Sequence, residues 1–421
     1  MDPLKKLVHW LEGDSQRPAA VVSSKIHINK DDVTGRSLVA NSKIVKNEPL
    51  ITIPHSYLLN YVTVLKHLEK STNWVFPINC KNYIYIPDGQ IDPIYANFEL
   101  SKLLQLSSFQ LVSLYLVLEK QKPESYWKPF IDVLPSISEL DGMPMIWALQ
   151  NDPIFDLLPN SIKEHSKAQQ EKFLSDYRTV QEFLSDVGLD CTSLVSQDDF
   201  LWAWVCCNSR CLYMELPEIL DKQLEDNFTL VPFVDFINHA PDDHCSINIS
   251  STKGFQVTSG SYPYSDGDQI FFSYGAHSDE FLLCEYGFML PARCNPWNSL
   301  DITPYILKLL KGEQSEFLKK HNYYGEYTLT SDEMSFRTEI ALATLQEKDL
   351  SKILPIINGM SEGAPYKKNS HLLVQKILNK ILAASKDKQE KVRRYPKSYR
   401  SSLIVQAHHN INIICDAYIQ H

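Results

Sequence analysis

No uninterrupted apolar run in this chain approaches the ~20 residues that a membrane-spanning helix needs, and the first twenty residues hold no apolar signal core. The expectation is an intracellular protein, cytoplasmic or nuclear, with no membrane partner. Nine cysteines, an odd number scattered from Cys80 to Cys415, include no Cys-x-x-Cys pair. That pattern argues against a disulfide framework and a zinc cluster, so no metal is expected. A Gly-x-Gly-x-x-Gly fingerprint is also missing, which removes the usual support for a Rossmann-type methyltransferase or dehydrogenase. Glycine is scarce, 14 against 23 prolines, and a hydrophobic content of 44% describes a folded chain rather than a disordered one.

The 421 residues amount to about two to three domains, enough for a large buried core. The net charge of −10 is unevenly spread. Residues 367–400 carry eleven Lys/Arg and two Asp/Glu, a local surplus of nine positive charges that leaves −19 on the rest. An acidic body attracts a lysine-rich protein and raises its encounter rate. Contact with nucleic acid is not expected, apart from the basic 367–400 stretch, which could meet RNA or an acidic surface. The plain reading of that stretch is a solvated helix face.

Leu4, Leu7, Val8 and Leu11 predict a short amphipathic helix at the start. β-like runs follow at Ser37–Ile44, Pro49–Pro54 and Tyr83–Pro87. From about residue 97 the pattern turns helical, with Phe173, Tyr177, Val180, Leu184 and Val187 stepping by four and three as a packing seam. β-like runs return at Cys245–Ser250, Gly254–Ser259 and Gln269–Tyr274, and from Pro296 the chain reads as helices to its end. Asp242-Asp243-His244-Cys245 reads as a polar loop, since consecutive residues do not easily converge on one ion.

Chemistry concentrates in two runs. Residues 230–239 read as an apolar strand ending in Asp235, Asn238 and His239, and 28 residues later Gly267–Gly275 ends in Tyr274 before a glycine. Polar groups at the ends of buried strands sit at the rim of a pocket. Tyr286-Gly287-Phe288 supplies an aromatic wall twelve residues further on. Asn238-His239, Tyr274-Gly275 and Tyr286-Gly287-Phe288 resemble the signature of SET-domain methyltransferases, in the variant of the RuBisCO large-subunit methyltransferase-like class, which methylates non-histone proteins. Gly35-Arg36-Ser37-Leu38 resembles that family's early glycine turn, Ser209-Arg210 its Ser-Arg pair, Ser125–Pro135 the start of its helical insertion, and Gly325–Leu329 the entry to its C-terminal helical domain.

The resemblance implies an α+β SET-domain fold of short β-sheets with a long helical insertion, followed by an all-helical C-terminal domain. The implied division is 1–95 and 206–295 for the SET core, 96–205 for the insertion and 296–421 for a substrate-binding domain. It implies an S-adenosylmethionine-dependent protein-lysine N-methyltransferase, acting as a monomer on a protein such as a ribosomal protein or translation factor. The alternative is a weak or inactive SET-fold adaptor, motivated by Ser37 where the turn usually has glycine. Tyr274 takes the catalytic role. Gly35, Arg36, Ser37, Arg210, Asn238, His239, Tyr274 and Phe288 would hold the cofactor, with Arg210 suited to its carboxylate. Asp235, Leu212 and Tyr286 would meet the substrate, the apolar Leu212 favouring a lysine stem over an imidazole. The family often has asparagine shortly after Tyr-Gly, where this chain has Asp279.

Overall fold

A computed structural model describes residues 2–15, 17–31, 35–77, 91–241, 245–250 and 253–420. Tyr83–Pro87, Thr34 and Asp242–His244 lie outside the described residues. The chain forms two compact units, residues 1–140 with 169–276, and residues 141–168 with 277–421.

In the first unit, α1 (Pro3–Leu11) begins at an Asp2 cap and buries Leu7, Trp10 and Leu11. The expected stripe shifts by one position. Val8 is 45% exposed, because Trp10 takes the inward place and packs edge-on against Tyr57 at 4.7 Å and Tyr126 at 5.2 Å. Strands β1 (Val21–Val22), β2 (Ile26–Asp31), β3 (Gly35–Ala40) and β4 (Pro49–Ile53) follow. β2 and β3 form an antiparallel hairpin.

Helices α2 (Tyr61–Glu69) and α3 (Ser108–Lys120) come next. α3 is apolar on nearly every face and starts at a Ser107/Gln110 capping box, as suits a helix wrapped by neighbours. α4 (Asn160–Asp186) enters this unit at Gln169. Its seam residues Phe173, Val180 and Leu184 are buried, with Phe173 stacked on Phe200 at 6.0 Å. Phe200 lies on α5 (Gln197–Arg210), which packs against α3 and ends on Arg210. β5 (Cys211–Tyr213) pairs with β6 (Phe228–Leu230), and β7 is the two-residue Asn238–His239. β8 (Cys245–Ser250) and β9 (Gly254–Ser259) complete a sheet of order β1-β4-β9-β8, and β10 is Phe271–Phe272.

The apolar stretch 230–239 is therefore not one strand. It breaks after Leu230 into a helical turn at Val234–Phe236 before β7. Pro232 offers no N–H to a ladder, and Phe233 turns the chain in the left-handed region at φ 74°.

The second unit holds α6 (Asp279–Tyr286), α7 (Phe336–Gln346), α8 (Ala364–Val392) and α9 (Tyr399–Gln420). The two long helices pair along their length, and Ile404, Ala407, Ile411, Ile414 and Tyr418 are all buried. The buried Asp279 carboxylate accepts from the Leu290 amide (3.1 Å) and from the side-chain amides of Asn295 (2.9 Å), Asn298 (2.7 Å) and Asn410 (2.8 Å). An asparagine here would turn its own NH₂ toward donors, which accounts for the acid at this position. Gly359-Met360-Ser361-Glu362-Gly363 spells a nucleophile-elbow pattern but joins two helices with no strand before it, the wrong context for that motif.

Burial pushes the neighbouring Glu280 carboxyl up to about 7, from an ordinary 4.5. A raised carboxyl stabilises the fold fully below about pH 4.5, and that contribution is lost as pH rises through about 7. Glu280→Gln should therefore raise stability at pH 8 by about 1–2 kcal/mol, less than the full shift implies because the side chain is partly exposed. Melts of both proteins at pH 5 and pH 8 check this: equal pH sensitivity would contradict it.

Candidate active site

Residues 267–274 run between two strands. On one side Ile270 N–H donates to Leu38 O (2.8 Å), Ala40 N–H to Asp268 O (2.9 Å) and Gly267 N–H to Ala40 O (2.9 Å), all on β3. On the other, β10 pairs in parallel with β7, Phe271 opposite Asn238 and Phe272 opposite His239. The early glycine turn, the Asn-His pair and the Tyr-Gly pair thus converge on one small assembly. β3 also packs against the Val234–Phe236 turn, which brings Asp235 to the same place.

Tyr274 is tied to this assembly twice. Its phenol donates to Ile237 O (2.9 Å) and its amide donates to His239 Nδ1 (3.0 Å). A backbone amide is always a donor, so Nδ1 must accept, and the His239 ring is neutral with its proton on Nε2. The Tyr274 ring lies 5.1 Å from that of His239 and 5.0 Å from that of Phe272. Burial pushes the phenol up to about 12, with Arg210 pulling it down and Asp235 pushing it up. It stays a phenol at neutral pH, donating its one hydrogen to Ile237 and keeping oxygen lone pairs to accept. The Asn238 side-chain amide donates to Gln269 Oε1 (3.0 Å).

Arg210 Nη1 donates to both the carboxylate (3.1 Å) and the main-chain oxygen (3.0 Å) of Asp235, whose side chain is 1% exposed. Burial raises the Asp235 carboxyl while Arg210 and Arg36 lower it. Arg36 donates to Val133 O, sits 5.4 Å over the Phe236 ring, and is 3.9 Å from Glu139. Burial and then the like charge of Arg210 lower its pKa. Arg210 is thus paired with the buried Asp235, and Arg36 lies in the field of both Asp235 and Glu139.

Gly35 needs its glycine, at φ 69° where β3 begins. Ser37 does not: it lies in regular hairpin register opposite Asn29, fully buried, with no positive φ. Its presence in the turn costs no backbone strain. Leu212 is half-buried in β5, opposite Thr229. Tyr286 and Phe288 belong to the second unit, where Gly287 closes α6 at φ 79° and the two rings stand 6.3 Å apart. Among the described residues, no cluster of three His, Cys, Asp or Glu could hold a metal.

Sequence patterns missed the Ile237 carbonyl, Gln269 and Phe272. A main-chain acceptor leaves no sequence signal, whereas Gln269 and Phe272 stood in a recognised run and lacked only a partner. Three buried polar atoms of these elements have no hydrogen-bond partner among the described residues: Ser37 Oγ, Arg210 Nε and Asp235 Oδ1. Buried polar groups are rarely left so, and such a set suits a small polar ligand bearing both a carboxylate and an ammonium.

Residues 298–421 match the family model of the ribosomal lysine N-methyltransferase 2 C-terminal domain. Over the longer chain, ribosomal lysine N-methyltransferase 2 of Saccharomyces cerevisiae is 31% identical, covering 90% of this chain and 89% of the yeast protein. Ribosomal lysine N-methyltransferase set11 of Schizosaccharomyces pombe is 26% identical, covering 85% and 83%. Among solved structures, the SET domain of LSMT bound to lysine and AdoHcy superposes with a TM-score of 0.63 at 14% identity, over 99% of this chain and 90% of that one.

Proposed function

Since the chain belongs to the SET-domain protein-lysine methyltransferases, in the class of the RuBisCO large-subunit methyltransferase, we propose that it methylates a lysine of a ribosomal protein. S-adenosylmethionine supplies a methyl group on a sulfonium, already a good leaving group. The chain's own residues then have to bind, align and exclude water. The observation that carries this reading is Tyr274, fixed by Ile237 O and His239 Nδ1 at the point where three separated motifs meet.

Asn238, His239, Gly35, Arg36 and Ser37 would hold the cofactor, and Arg210, through its free Nε–H, would take the carboxylate while keeping Asp235 on Nη1. The lone pairs of Tyr274 would accept from the substrate amine. Loss of water around the amine and the positive charge of the bound sulfonium would both disfavour an incoming ammonium and so lower the pKa of the lysine. Tyr274 itself, pushed up to about 12, keeps its proton at neutral pH and so does not serve as the base. Leu212 would line the approach of the lysine stem, and Asp235, 1% exposed, would act there only by holding Arg210. The helices from 296 onward would dock the substrate protein, and 96–205 would stand as the insertion of the SET core. We assign the enzyme to the cytoplasm or nucleus, working as a monomer.

Incubation with methyl-labelled cofactor and extract of cells lacking the enzyme should mark one ribosomal protein on lysine. Label on non-ribosomal proteins alone would refute the substrate assignment; no label at all would favour the adaptor.

A further inference from the structure

We propose that the solvent face of α8 and the turn after it form an RNA-binding surface. α8 is 29 residues long and buries Ser370, Val374, Ile377, Leu378, Ile381, Ser385 and Val392 along one side. At 100° per residue, Lys368, Lys376, Lys380, Lys386 and Lys391 fall within an arc of ~140° on the opposite side. All five are exposed. Two acids share this side, and each is already engaged: Asp387 with Lys391 at 2.7 Å and Glu390 with Arg393 at 2.9 Å. Lys368, Lys376, Lys380, Lys386, Arg394 and Lys397 have no ion-pair or hydrogen-bond partner among the described residues. From Lys368 to Arg394 the row extends about 39 Å.

Solubility alone does not explain a row of unneutralised cations in a chain of net charge −10. A straight line of them matches a polymer with charges at regular intervals, and each phosphate contact releases a condensed counterion. The turn supplies the second feature. Arg393-Arg394-Tyr395-Pro396-Lys397 presents Tyr395, 37% exposed, among three cations. Every base has a face that stacks on such a ring, and single-strand binders combine these two elements. An acidic protein surface would use the lysines but leave the tyrosine without a purpose. The −19 on the rest of the chain repels a polyanion elsewhere and confines it to this face. The choice of RNA rests on the ribosomal reading, since a lysine on a ribosomal particle is displayed beside ribosomal RNA.

Fluorescence anisotropy with a labelled single-stranded RNA of mixed sequence, titrated over a range of salt, tests this. Six cations at ~0.7 each give an expected slope of about −4 in log K against log salt. The variant K376Q/K380Q/K386Q/R394Q, changed only at exposed positions, should bind at least tenfold more weakly, with a slope near about −1. It should keep the wild-type melting temperature and the wild-type dissociation constant for S-adenosylhomocysteine. Tyr395→Ala should weaken binding severalfold and leave the slope unchanged. Absence of RNA binding by the wild type, or equal binding by the quadruple variant, would overturn the proposal. Displacement of RNA by polyglutamate at equal charge would also overturn it and reassign the face to an acidic protein. The RNA measurement needs no methyl transfer, so failure of the ribosomal reading would show separately, in the labelling experiment.

Discussion

Tyr274→Phe should lower kcat by about a hundredfold or more while the dissociation constant for S-adenosylhomocysteine stays within about twofold, the pattern of a contact made chiefly in the transition state. The substitution removes one oxygen. That oxygen donates to Ile237 O and holds the lone pairs that would align the amine. The ring can stay where Phe272 and His239 pack on it, and the Tyr274 amide still reaches His239 Nδ1. Cofactor-binding groups on β3, β7 and α5 are untouched. His239→Ala should behave in the opposite sense: it removes a ring from β7 and an acceptor from the Tyr274 amide, so the cofactor complex weakens measurably. Calorimetric titration with single-turnover kinetics separates the two. Unchanged turnover in Tyr274→Phe would remove that residue from the chemistry.

Arg210→Ala should destabilise the protein by about 3 kcal/mol and abolish activity. The lost interaction is not a surface ion pair. Asp235 is 1% exposed, and removing its partner leaves a carboxylate buried and largely uncompensated, which costs ~3–5 kcal/mol in comparable cases. Arg36 also lies in the field of Asp235, which places the expected loss at the lower end of that range. The same guanidinium nitrogen bonds Asp235 O, two residues before the carbonyl that holds Tyr274, so the damage should reach the catalytic phenol. Asp235→Asn in the Arg210→Ala background should recover a good part of the stability, because an amide is far cheaper to bury than an unpaired charge. Urea unfolding of the three variants would check this; a single-variant loss below about 1 kcal/mol would show that the pair is solvated.

Much of this site was legible because its chemistry is local to motifs. Asn238-His239 and Tyr274-Gly275 each carry their residues within two positions, and the strand character of Phe271–Phe272 followed from its apolar, aromatic run. The fold class was legible through the same motifs: their resemblance implied the SET fold, and a helical stretch set between β-like runs, with helices after them, agreed with it.

Elements that depend on distant partners were not legible. Nothing near Val8 or Trp10 says which faces inward, because Tyr57 and Tyr126 decide it. The break within 230–239 turns on Pro232 and on the left-handed backbone at Phe233, an unusual conformation for a bulky residue. Asp279 looked like a departure from pattern until Asn295, Asn298 and Asn410 were seen to surround it. The pairing of Arg210 with Asp235 joins residues 25 apart, and either could have faced solvent by itself.

Hydrogen exchange of the wild-type protein with and without S-adenosylhomocysteine tests most directly whether the crossing of β3, β7 and 267–274 is where the cofactor binds. Slowed exchange at the amides of residues 36–39, 236–240 and 270–275 is expected. Cofactor binding that leaves all three segments unprotected, or no binding at all, would contradict the assignment of this site.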